Sequence, residues 1–391
     1  MAFPISKALH KQGVRVYAGV SVYSNYLEWS RYLNGTFRHP STDSGTDEAL
    51  PFILAWLKDN PHIDAIQPVS ESALRLISRH RAKFESLGRL IMPSAPTVEL
   101  CGQKGAMFHL CERLGVPLSP YRVVTSKRDL FDAAAEVGFP VIIKPSCVDA
   151  ELFGRKALII HSTADLHIRI SEWPALHPEL IVQRYVRGPR HSVVFCAEKG
   201  RLLKAVEVIA RRTHEADGTG YTTLGVTVAP TPVLKQATEA LVRHLDYSST
   251  GCAQFIVDPT SGEVTFMELN ARTSLARIAE AAGVPHSLLA YQSAVGLRHA
   301  DLGDAWQTRV GTRYVWTKGD LMRLKRGLQS QQIGVLQVIP ELCKITVDAL
   351  RSQHAILDVS DPAPAIGTYL NFLLKHFRGK TRLAHQQEAV A

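Results

Sequence analysis

The stretch 252-CAQFIVDPTSGEVTFMELNAR-272 reads as two strands, 252–258 and 263–270, joined by the turn 259-PTSG-262. The second strand is apolar at Val264, Phe266 and Met267, but its end carries Glu268, Asn270 and Arg272, each two residues apart and so on one face. If the strands pair antiparallel, Gln254 lies close to Glu268 and Asn270, and three side-chain oxygens converge. Such donors suit a hard cation, Mg2+ or Mn2+, held by one or two carboxylates and completed by phosphate and water. Arg272 would then meet an anion beside the metal, because a planar guanidinium matches phosphate. Taken alone, the hairpin is equally well read as a solvated edge strand.

Upstream, 139-FPVIIKPS-146 ends an apolar strand on Lys144, a residue packing alone explains poorly unless it snorkels to the surface. Lys104, in 103-QKGAMFHLCERLGVP-117, opens a helix, where a phosphate would meet both its charge and the helix N-terminus. In 181-IVQRYVRGPRHS-192 an apolar strand runs into a Gly-Pro turn that could offer main-chain groups to a planar base.

The first hundred residues alternate helix and strand: a helix over 3–13, a strand over 14–20, then helix 47–58, strand 63–69, helix 71–87, a short strand near Ile91 and helix 97–114. That order predicts a parallel, doubly wound sheet. It opens on a helix where such domains usually open on a strand and glycine turn, so an internal start or a missing first strand is expected. Strands then crowd together at 121–124, 140–145, 156–161, 180–186, 191–197 and 201–210, separated by helices at 126–137 and 163–172, the signature of an α+β layer. The segment 217-DGTGYTTLG-225 reads as a mobile loop, followed by helix 233–245 and by helices to about 298. We expect four units: an α/β domain over 1–100, a lid over 101–187, a metal- and phosphate-binding unit over 188–300 and a mainly helical segment over 301–391.

Composition sets the outer limits. Of 391 residues, 46% are hydrophobic and 21% charged, an ordinary globular balance. No apolar run approaches the ~20 residues that span a bilayer, and the N-terminus lacks a signal-peptide core, so a cytoplasmic protein is expected. Six scattered cysteines form no CxxC pair and read as free thiols. The net charge of +9 is interspersed with acids and has no aromatic-interleaved stripe, which argues against nucleic acid and for a small anionic substrate.

In this order the elements resemble the ATP-grasp superfamily, and within it the synthetase halves of the carbamoyl phosphate synthase large chain. The likeness is strongest over 254-QFIVDPTSGEVTFMELNARTSLARIAEAAGVPHSLLAYQSAVG-296 and extends in ordered motifs over about 100–300. It implies an ATP-grasp fold behind a Rossmann-like domain, with Lys104 and Lys144 on the ATP phosphates. It further implies Gln183 and Val186 at the adenine, His191 at the ribose, Gln254, Glu268 and Asn270 as metal ligands, and Arg272 on the transferred phosphoryl group. The implied activity is an ADP-forming ligase that activates a carboxylate as acyl phosphate and joins it to an amine or thiol. Arg211 and Arg212 would close on substrate, Glu71 would touch it or cap its own helix, and two copies of the chain could pair. Three departures stand out: the loop 146-SCVDAELFGRKA-157 has a single glycine, Gly154, leaving Arg155 or Lys156 to grip phosphate; Gln183 and Arg184 replace an acidic hinge; and Ala271 stands where proline is frequent. They keep open a nucleotide-binding module without turnover, and carbamate or formyl phosphate formation remains a further alternative.

Overall fold

The computed structural model describes residues 2–21, 26–147, 150–153, 155–171, 179–215, 218–372 and 374. The first hundred residues form α1 (Ala2–His10), β1 (Tyr17–Ser21), β2 (Gly35–His39), α2 (Ala49–Asp59), β3 (Ala65–Ile66), α3 (Glu71–Arg79), α4 (Arg81–Glu85), β4 (Arg89–Leu90) and α5 (Ala95–Gly102). Pairing is parallel, β1 with β2 and β3 with β4, as alternation predicts. The single continuous sheet is corrected: the described strands form two separate pairs, because β3 and β4 offer only two ladder residues each. Expected helices also split, at His80 and at Gln103, whose backbone leaves the helical region. The second break matters, because it makes Lys104 the first residue of a new helix.

That helix is α6 (Lys104–Leu114), followed by β5 (Tyr121–Val124), α7 (Lys127–Val137), β6 (Val141–Pro145), β7 (Leu158–Ile160), α8 (Thr163–Ser171) and β8 (Leu180–Arg184). The strands make an antiparallel sheet in the order β5-β8-β6-β7. Its core is separate, with Leu130 and Ala134 of α7 and Leu166 of α8 packed on Val141, Ile143, Leu180 and Val182.

Next come β9 (Arg190–Glu198), β10 (Arg201–Thr213), β11 (Thr222–Val228), α9 (Pro232–His244), β12 (Ser249–Val257), β13 (Val264–Asn270), α10 (Ala276–Ala281), α11 (His286–Val295), β14 (Arg313–Val315), α12 (Thr317–Gln329), α13 (Val338–Leu350), β15 (Gln353–His354) and α14 over 363–372. Seven strands join in the order β13-β12-β9-β10-β11-β14-β15, antiparallel except for β14 with β15. One face carries Val193, Phe195, Phe255 and Phe266 under α6 and α9, and the other carries Val194, Val206 and Cys252 under α10. Two expectations are corrected here. Residues 222–225 belong to a strand, since threonine and valine favour the pleat, and the helical tail gives the sheet two strands. The glycine-rich stretch also includes Asp217, which lies outside the described residues.

All six cysteines are free thiols. No helix among the described residues is long and apolar enough to cross a membrane. The tail is fastened by Arg212, whose Nε and Nη2 donate to Asp320 at 2.6 and 2.7 Å while Nη1 donates to Asp348 at 2.9 Å. Asp320 is fully buried and takes two of the three Arg212 bonds, so removing it leaves a largely enclosed guanidinium held by Asp348 alone. Asp320→Ala is therefore expected to cost about 3–5 kcal/mol in urea unfolding, and a loss under about 1 kcal/mol would show that the pair does not hold the tail.

Candidate active site

The site is built where the edge strand β13 meets the four-stranded sheet. Gln254 pairs with Glu268 and Cys252 with Asn270, but Phe255 pairs with Phe266, so Met267 is an extra residue on β13. This bulge reverses the side-chain alternation. Thr265 and Glu268, three apart and otherwise on opposite faces, share one, while Phe266 and Leu269 both enter the core. A single strand thus carries both the carboxylate and the anchor for the lysine that faces it.

The anchor works through Gln183. Lys144 Nζ donates to Gln183 Oε1 at 2.9 Å, and Gln183 Nε2 donates to Thr265 Oγ1 at 3.2 Å. The same ammonium sits 4.7 Å from the ring centre of Phe108. Burial, reinforced by the charge of Lys104 and opposed by Glu268, brings the Lys144 pKa down to about 7. Lys104 is held by its backbone N–H on the Ser146 carbonyl at 2.8 Å. Its pKa is also lowered, by burial, with Glu268 opposing.

Glu268 is the converse case. Burial pushes its carboxyl up, but Lys104, the Asn270 hydrogen bond, Lys144 and Arg190 together bring it below the ordinary value, so it stays ionised. Asn270 Nδ2 donates to Glu268 Oε1 at 2.9 Å, which directs the amide oxygen of Asn270 away as an acceptor. Arg272 Nε donates to Glu71 Oε2 at 2.9 Å. Glu71 opens α3 behind its Ser70 cap, so it both begins a helix and fixes Arg272 from the first α/β unit.

Other expected residues are committed elsewhere. Arg212 is held by its ion pairs to the tail, and Arg211, beside it on β10, is exposed. His191 is buried with Nδ1 2.6 Å from Glu207, which also accepts from Thr231, so a carboxylate already holds its ring. The Gln183 amide accepts from Lys144 and donates to Thr265, so it anchors the lysine. Val186 is buried, and Lys156, 3.4 Å from Glu151, still places its charge close enough to lower the Lys104 pKa. Gly154 lies outside the described residues.

Sequence reading missed Arg190. It opens β9 on the same face as Ser192, which pairs with Gln254, and Glu268 feels its charge. Nη1 donates to the Gly220 carbonyl at 2.7 Å and Nη2 to Thr222 Oγ1 at 2.8 Å, while the buried Nε has no partner among the described residues. Nearby, Gly188 must be glycine, since a Cβ there would come within 2.0 Å of the Val257 carbonyl oxygen.

Lys104, Lys144 and Arg190 therefore surround one carboxylate, leaving an excess of positive charge suited to polyphosphate. Residues 104–300, about half of the chain, match the model of the family described as carbamoyl-phosphate synthase L chain, ATP binding domain. The chain belongs to this family. Among curated relatives, the carbamoyl phosphate synthase large chain of Gemmatimonas aurantiaca is 25% identical over 74% of this chain and 27% of its own length. That of Thermus thermophilus is 27% identical over 55% of this chain and 21% of its own. The chain spans about a quarter of the length of these relatives.

Among solved structures, the biotin carboxylase–β,γ-ATP complex of Campylobacter jejuni superposes with a TM-score of 0.61 at 18% identity, covering 80% of this chain and 72% of that one. The ADP complex of N5-carboxyaminoimidazole ribonucleotide synthetase superposes at 0.58 with 15% identity, covering 79% and 76%. The fold of this ATP-binding domain is the ATP-grasp fold.

The donor set also fits a hard cation. Among the described residues no three His, Cys, Asp or Glu side chains converge, so a metal at Glu268 would rest on one carboxylate, the Gln254 and Asn270 amide oxygens, and phosphate.

Lys144 supplies a pH test. Its folded pKa is depressed from 10.5 to about 7, so the unfolded chain binds the extra proton between those values, and this group's contribution to stability rises with pH there. Wild-type stability relative to Lys144→Met should therefore climb between pH 7 and pH 10 in paired denaturation curves. A pH-independent difference would contradict the burial of this charge.

Proposed function

We propose that the protein is an ATP- and Mg2+-dependent ligase that activates a carboxylate as an acyl phosphate and joins it to an amine or thiol. The observation that carries this reading is the ionised, half-buried Glu268 that feels the charges of Lys104, Lys144 and Arg190. Two lysines and an arginine about one carboxylate, even with Lys144 only about half protonated near pH 7, favour a ligand that brings several negative charges, and phosphoryl transfer is catalysed chiefly by position and charge.

In this reading Lys104 and Lys144 grip the ATP phosphates, the first also from a helix N-terminus. Glu268, Gln254 and Asn270 would hold Mg2+, which would supply positive charge to neutralise the phosphates. Arg272, fixed at Nε by Glu71, steadies the group in transfer. A carboxylate oxygen attacks the γ-phosphorus and ADP departs. The nucleophile then attacks the acyl carbon, inorganic phosphate leaves, and the nucleophile's proton is released. The proposed partners are small carboxylates and amines and a second copy of the chain.

A second reading, nucleotide binding without turnover, is favoured by Gln183, whose amide is occupied, and by Arg212, which the tail retains. A screen of carboxylates, bicarbonate included, against amines separates the two by substrate-dependent ADP release. The ligase reading expects release that falls about 100- to 1,000-fold or more in Glu268→Ala with the fold intact by circular dichroism. Full activity in that variant would overturn the site; ATP binding with no release for any pair would favour the silent module.

A further inference from the structure

Helix α13 is turned inside out. Its only buried residue is Ile345, and its inner face is held by charge: Glu341 accepts from Arg323 at 3.2 Å, and Asp348 from Arg212 and Arg313 at 2.9 and 2.6 Å. The outer face is apolar. A 3-10 turn, Val335–Gln337, leads into the helix, and across the two Leu336 is 92% exposed, Ile339 72% and Leu350 82%, with Val335, Leu342, Cys343 and Val347 also open. An amphipathic helix normally buries such a stripe. From those exposures it offers on the order of 700 Å² per copy, close to the roughly 800 Å² per partner of a stable interface.

The spacing of the stripe suits a second copy of the same helix. About Cys343 the residues are placed symmetrically: Ile339 lies four before and Val347 four after, Leu336 seven before and Leu350 seven after. An antiparallel pair of these helices about a two-fold axis through Cys343 sets Leu336 against its partner's Leu350 and Ile339 against its partner's Val347. A two-fold interface must be self-complementary in this way. The inverse contact, a different protein on the same stripe, has no need of such symmetry.

We infer that α13 is the dimerisation helix of this protein, packing antiparallel on α13 of a second copy with Cys343 at the axis. Helix axes about 8–10 Å apart, with Cα atoms on a radius of about 2.3 Å, bring the facing Cα atoms to about 4–5 Å. That separation is compatible with a disulfide, which spans about 4.4–6.8 Å between Cα atoms. The inference deepens the pairing of copies proposed above, but none of its observations involves the ligase chemistry, and its test needs no turnover.

Light scattering of the full chain at tens of micromolar should give twice the chain mass, and Leu336→Glu and Ile339→Glu should each halve it without changing circular dichroism or the affinity for ATP. Mild oxidation with copper-phenanthroline should give a covalent dimer that Cys343→Ser abolishes. A wild-type monomer, including one whose stripe is covered by residues 375–391 or awaits another protein, overturns the inference. So does a dimer indifferent to both charge substitutions, or a cross-link that survives Cys343→Ser.

Discussion

The site depends on keeping one carboxylate ionised inside the protein. An unpaired buried carboxylate would take up a proton rather than bear the cost of desolvation. Glu268 avoids this through Lys104, Lys144, Arg190 and the Asn270 amide, which together outweigh its burial. The cations face the opposite problem, since Lys144 is pushed toward neutrality by burial and by Lys104 and is held back by Glu268. Each charge is therefore maintained by the others, and the set as a whole still lacks negative charge. A polyphosphate with its metal would complete it.

Packing enforces that balance. Thr265 is the junction: it accepts from the Ser119 backbone at 2.9 Å and from Gln183 at 3.2 Å, so the edge of the large sheet, the segment before β5 and the strand β8 that anchors Lys144 are tied at one hydroxyl. The Met267 bulge is what allows Thr265 and Glu268 to face the same way. From the opposite side, Glu71 holds Arg272 and Gln67 donates to Thr273 at 3.2 Å, so the first α/β unit closes against the loop after β13. Three parts of the chain reach the site, and none of them makes it alone.

Local pattern made part of this legible. That Gln254 lies close to the polar end of β13 follows from one hairpin, although its pairing with Glu268 rather than Met267 needs the bulge, and Lys104 and Lys144 stand at a helix start and a strand end visible in a dozen residues. What stayed hidden was decided at long range. Arg212 looks like a substrate cation until Asp320 and Asp348, 108 and 136 residues further on, claim it. Arg190 reads as part of a turn until β9 is known to pair with β12, which sets its face. The bulge is local, yet nothing in 264-VTFMELN-270 distinguishes Met267 as the extra residue, because the partner register determines it. Residues 222–228 were hidden in another way: glycine and threonine suggest a loop, and only β10 and β14 on either side make a strand of them.

The central claim is that Glu268 and the cations around it form a metal–nucleotide site, and calorimetric titration with ATP in the presence and absence of Mg2+ tests it most directly. The account predicts that Mg2+ tightens ATP binding at least about tenfold, or roughly 1.4 kcal/mol, and that Glu268→Gln removes this gain while leaving metal-free ATP binding unimpaired. Affinity indifferent to Mg2+ in the wild type, or an undiminished Mg2+ effect in Glu268→Gln, would contradict it.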